Sequence, residues 1–189
     1  MINNQQTELK LVMLYHQELM DFLGKVREVA GTGKESLQRF LAELQRKTDI
    51  YEKQVLNYKH LFPSDKDIQA HESRIYFFRG TFKVYSGLYY DMYSGMFSPS
   101  KESQLSAAIM LFNKSLELND QPNTRSMKVF CYRQLNDKKS ALRELDYILE
   151  HHADHEEEYL RARKEKDELK TPSPSGVGQL FRSLFGSNS

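Results

Sequence analysis

His151, His152 and His155 crowd one short stretch of the chain, with Asp154 and Glu158 beside them. Imidazole and carboxylate are ligand types that hold zinc, and His151 and His155 would share one face of a helix running through both. No His-Glu-x-x-His pattern is present, however, and the sequence places no third ligand. The expectation is therefore a polar turn with Asp154 as a helix cap and no metal. The single cysteine, Cys131, has no disulfide partner within the chain. It sits at a packing position beside Tyr132, where a small buried hydrophobe is expected rather than a nucleophile. His16 and His71 lie on apolar stripes and are expected in the core or at a helix seam. The chain has no Gly-rich phosphate loop, no nucleophile elbow and no carboxylate pair placed for acid–base work. No catalytic residue and no cofactor are assigned.

The composition points the same way. The 189 residues are 39% hydrophobic and 28% charged, enough for a packed core under a solvated exterior. A formal net charge of +1 carries no concentrated basic face, so no nucleic-acid partner is expected. The N-terminal MINNQQTELKL is polar and lacks a signal-peptide pattern, and no stretch reaches the roughly 20 apolar residues of a membrane span. A cytoplasmic location is the expectation. Tryptophan is absent, yet 11 Tyr and 11 Phe are present, many of them between Tyr76 and Phe97.

The elements that must position these groups are helical. Leu9, Val12, His16, Leu19, Leu23 and Val26 follow a three-and-four spacing that predicts a helix from about Gln5 to Ala30. After Gly31-Thr32-Gly33, Leu37, Leu41, Leu44, Thr48, Tyr51, Val55, Tyr58 and Phe62 predict a second helix, and the short connection implies an antiparallel hairpin. Pro63 stops it, and Ser64 or Asp65 can cap the next helix. A third helix, from about Asp67 to Met96, is apolar on two faces and so belongs between neighbours. Gly80 and Gly87 within it suit close approach of another helix. Four shorter helices are predicted over 101–118, 123–135, 138–151 and 154–169. The last is highly charged, reads as a solvated capping helix, and carries Glu157–Arg161 and Lys164–Glu168 at i,i+4 spacing. The domains expected are 1–62, a long N-terminal hairpin; 65–170, a central helix with the shorter helices; and 171–189, a Pro/Ser/Gly linker with a short amphipathic tail. In that tail Val177, Leu180, Phe181, Leu184 and Phe185 share one helical face.

The stretch from Ala108, AIMLFNKSLELND, is echoed from Ala141, ALRELDYILEHHAD, 33 residues later. A period of this length in a helical chain means stacked helix pairs. With Ala108, Phe112 and Ser115 in a small–large–small pattern, and Val129, Cys131, Tyr132, Ala141, Leu145 and Ile148 in the next unit, the segment resembles the tetratricopeptide repeat (TPR) family. Two units are covered, the first with an oversized loop. Lys128 stands where that family usually has leucine, and Ala153 where it often has the closing proline. The resemblance implies a turn at His152–Asp154 and an all-α fold: the hairpin packed on a central helix, then a short TPR-like array and its cap.

The resemblance also implies a binding scaffold whose concave face includes Tyr85, Leu88, Met92, Met127, Phe130, Arg133 and Gln134. This face is apolar, not basic, so a clamp for a C-terminal carboxylate is disfavoured. The bland alternative is that Tyr85, Leu88 and Phe130 pack against the chain's own hairpin. The leading expectation is a non-enzymatic adaptor binding a protein or peptide. A structural or oligomerisation bundle, with a homodimer, is the alternative, and an enzyme with a fold-assembled pocket the second alternative. The bland reading of the tail is a disordered terminus with chance apolar spacing; if it docks, protein is preferred to a membrane interface, because only Arg182 is basic there.

Overall fold

The computed structural model describes residues 2–30, 33–88 and 100–170. Among them every regular element is an α-helix, in keeping with the all-α class. The helices are α1 (Ile2–Gly24), α2 (Val26–Ala30), α3 (Lys34–Leu61), α4 (Ile68–Leu88), α5 (Lys101–Leu118), α6 (Pro122–Gln134), α7 (Lys138–His151) and α8 (Glu156–Lys170). The chain divides into two compact units, Met1–Asn119 and Asp120–Ser189, whereas the sequence grouping places its first boundary after Phe62. The physical reason is α4, which packs on α3 and on α5 and so ties residues on both sides of Pro63 into one unit.

One helix departs from its predicted span. The apolar spacing runs unbroken to Ala30, but α1 ends at Gly24. Lys25 N donates to Phe22 O at 3.1 Å in a tighter turn before α2 begins, and Val26 keeps its place on the stripe, fully buried. The predicted continuation of the third helix to Met96 lies outside the described residues.

In the first unit α1 and α3 run antiparallel. Gln5 pairs with Tyr58, Glu18 with Lys47, and the Phe22 and Phe40 rings stack at 4.7 Å. α4 runs back along α3, with Lys59 against Glu72 and Arg79 against Glu52. α5 runs antiparallel to α4. A side chain at Gly80 would put its Cβ 2.5 Å from Phe112 Cε1, so glycine there admits a fully buried phenyl ring. Farther along, the Ser73 hydroxyl donates to Ser115 O at 2.8 Å, linking the same two helices. Asp65 fastens the corner between α3 and α4: Tyr58 OH and Gln5 Nε2 donate to its side chain, as does the Asp67 backbone N–H at 2.9 Å. These bonds hold its carboxyl below the usual carboxylate range.

His71 is buried in this unit, and His16 is half-buried beside it. The His16 ring sits 5.9 Å from Tyr51 and 5.8 Å from Phe78, and the Tyr51 hydroxyl shares a 2.8 Å hydrogen bond with His71 Nδ1. Burial, helped by the Arg74 charge, lowers both imidazoles from 6.5 to about 4; His71 adds to the effect on His16, while Asp67 and Asp65 oppose it at His71. The unfolded chain therefore binds protons that the folded chain refuses between 6.5 and about 4. The stability from neutral histidines is whole above 6.5 and is lost as pH falls toward 4. Thermal melts should show a midpoint that drops between about pH 7 and about pH 4.5, with a shallower drop in His16→Phe. A drop of the same depth in that variant would remove His16 from the account.

In the second unit α6, α7 and α8 pack in sequence. Their core is Val129, Ala141, Leu145, Ile148 and Ala162, with Tyr132, Leu149 and Leu169 against it. Burying a side chain such as Leu145 or Ile148 contributes roughly 1.5–3 kcal/mol. The α6–α7 turn arises from its own residues. Asn136 takes φ 58, and the N–H groups of Asn136 and Asp137 close on the carbonyls of Arg133 and Tyr132, a Schellman ending. Asp137 then caps α7, its carboxylate accepting from Ser140 N at 3.0 Å.

Candidate functional site

The polar residues of the second unit converge on the inner faces of α6 and α7. Arg125 and Lys128 are one turn apart on α6, and both reach Glu144 on α7. Arg125 Nη1 donates to Glu144 Oε2 at 2.9 Å, while its Nε and Nη2 hold Asp120 in a fork at 2.8 and 2.9 Å. Its guanidinium also lies over the Tyr147 ring, 3.4 Å from the centroid. Lys128 Nζ hydrogen-bonds the other Glu144 oxygen, and the Lys128 side chain is only 8% exposed. Burial alone would raise the Asp120 carboxyl; the hydrogen bonds from Arg125 and Tyr147 and the charges of Arg125 and His152 pull it below the usual range. These charges are satisfied by one another, so the network fixes the register of α6 on α7. Glu165 on α8 is held differently: burial raises its carboxyl, and Arg133 at 3.4 Å opposes the rise.

The residues predicted to line a groove differ in exposure. Tyr85, Met127 and Phe130 are buried. Tyr85 lies edge-on to Phe40 of α3, at 6.4 Å. Leu88, Arg133 and Gln134 are half-buried, and Arg133 is engaged by Glu165. Met92 and the tail residues Val177, Leu180, Phe181, Leu184 and Phe185 lie outside the described residues. Cys131 is fully buried, and burial pushes its thiol up to about 12.

The histidine segment is a turn between α7 and α8, and the i,i+4 pair of His151 with His155 does not form within a helix. The His151 ring stacks on Tyr147 at 4.1 Å. His152 and His155 come together instead, at 5.8 Å between ring centroids, with Asp154 alongside. The cap of α8 falls on His155, whose carbonyl accepts from Tyr159 N, rather than on Asp154.

Sequence reading did not find Asp120, Arg125 or Glu144. The available signal was Lys128 at a position where the resemblance expects leucine, since a buried lysine needs a carboxylate. No helix of the described residues is long and apolar enough to cross a membrane. Compared with family models, with curated proteins and with solved structures, the chain gives no match.

Proposed function

We propose that this protein is a non-enzymatic scaffold that binds another protein through apolar side chains displayed on its helices. The observation that carries this reading is the outer face of α1. Val12, Leu19 and Leu23 are buried, yet on the same helix Met13 is 56%, Leu14 54% and Met20 44% exposed. A helix apolar on two faces belongs between neighbours. Met13 and Met20 are two turns apart on one face, and methionine adapts to varied apolar surfaces.

Because Tyr85, Met127 and Phe130 are buried, the partner contact is assigned first to α1. From the predicted groove, Leu88 and Gln134 remain as additional contacts. The tail residues Val177, Leu180, Phe181, Leu184 and Phe185 are assigned as a tethered apolar segment that docks on protein. Self-association is the second reading. Leu19 and Leu44 are fully buried within the chain, so a homodimer would use Met13 and Met20 instead of the heptad stripes.

The test compares Met13→Glu/Met20→Glu with wild type by quantitative cross-linked capture and by light scattering, with circular dichroism as a folding control. The double variant should weaken partner capture roughly tenfold or more. A wild-type dimer that the variant abolishes assigns the face to self-association. Equal capture and equal mass in both proteins would sink both readings. A chain ending at Lys170 tests the tail: higher partner affinity means that the tail covers a surface of its own protein.

A further inference from the structure

We propose that the turn between α7 and α8 is a binding site for a divalent transition-metal ion, held by the imidazoles of His152 and His155 and the carboxylate of Asp154. The donor atoms of these three side chains all lie within 4.8 Å of one another. His155 Nε2 and Asp154 Oδ2 are 3.8 Å apart. Ligand atoms around a tetrahedral zinc stand about 3.3 Å apart, so the donors need to close by an ångström or so. Asp154 and His155 are exposed and can supply that movement by side-chain rotation, while His152 is held still by burial.

Three further features favour the site. First, the buried His152 Nε2, otherwise without a hydrogen-bond partner, lies 3.4 Å from Asp120 Oδ1 and is placed to donate to that carboxylate, which leaves Nδ1 as the ring atom for the ion. A buried imidazole facing a carboxylate is the arrangement by which proteins orient metal-ligating histidines, and Asp120 is itself held rigidly by Arg125. Second, the backbone presents the three ligands from one short segment. His152 N–H closes on Ile148 O at 3.0 Å, and His155 N–H on His152 O at 3.1 Å, so backbone hydrogen bonds shape the turn. Third, two nitrogens and one oxygen suit zinc, nickel, cobalt or copper, whereas magnesium and calcium demand oxygen ligands. His151 stays outside the set, since its ring stacks on Tyr147 and its Nδ1 faces Tyr147 O at 3.1 Å. With Asp154 and His155 at the surface, water completes the coordination, and an ion here links the end of α7 to the start of α8.

The experiment titrates the full-length protein with Zn(II) and Co(II), monitored by calorimetry, cobalt absorption and thermal shift. Wild type and His151→Ala should bind one equivalent and melt higher with metal, and chelator should reverse the gain. His155→Ala and Asp154→Ala, both at exposed positions, should fold normally and bind about tenfold more weakly or worse, and Asp120→Asn should lose about 10- to 100-fold through His152. Failure of the wild type to bind at millimolar metal overturns the proposal. So does undiminished binding by His155→Ala and Asp154→Ala, because the ion would then sit elsewhere.

Discussion

Glu144→Ala should lower the free energy of unfolding by about 3–5 kcal/mol. Glu144 accepts from Lys128 with one oxygen and from Arg125 with the other, and both cations are largely withdrawn from water. Arg125 keeps Asp120 when Glu144 is removed, but Lys128 keeps no carboxylate, and a buried unpaired ammonium is costly. The compensating variant separates the value of the pair from the cost of breaking it. Lys128→Leu with Glu144→Leu restores apolar contact between α6 and α7, and replacements of this kind are often neutral or stabilising by about 1–4 kcal/mol. Urea denaturation of the two variants checks both statements. A Glu144→Ala protein within about 1 kcal/mol of wild type would mean that water reaches the network in solution.

Phe112→Ala should cost about 3–5 kcal/mol, because the ring is fully buried between α5 and α4 and its removal leaves a cavity. The partner position makes the prediction sharper. Gly80→Ala adds a helix-favouring methyl worth about 1 kcal/mol, yet that carbon would lie 2.5 Å from the Phe112 ring. Overpacking should win, for a net loss of about 1–3 kcal/mol. In the Phe112→Ala background the obstruction is gone, so Gly80→Ala should become neutral or favourable. The double-mutant cycle therefore predicts a combined loss smaller than the sum of the single losses, a strong coupling between residues 32 positions apart in sequence. Additive losses would show that the ring does not occupy the space beside Gly80.

The core faces were legible because apolar residues at helical spacing have few other uses. Val12, Leu19, Leu23, Leu37, Leu44, Tyr51, Val55 and Tyr58 all read as stripe residues and are all buried. The interruption at Lys25 was not legible, since Val26 continues the apolar spacing and Gly24 alone is a weak stop. Phe40 was missed: Phe40 and Leu41 both fit the three-and-four spacing between Leu37 and Leu44, and only the packing of Phe40 against Phe22 and Tyr85, on helices brought alongside by the fold, decides which is buried. The polar interior was hidden for the same reason. Ser73 meets Ser115, and Arg125 meets Glu144, only once two helices are in register. The histidine cluster shows the difference between local spacing and geometry. Helical spacing pairs His151 with His155, but the turn brings His152 to His155 and turns His151 onto Tyr147.

Cys131 has a practical consequence. The chain carries one thiol, fully buried and pushed up to about 12, so in the native state it is chemically silent toward alkylating and disulfide reagents. A reagent can reach it only when α6 opens from its neighbours. The rate of thiol modification is therefore a native-state clock for that opening, supplied without any engineered probe. A cysteine introduced on the surface would, for the same reason, be the single fast-reacting position for attaching a reporter.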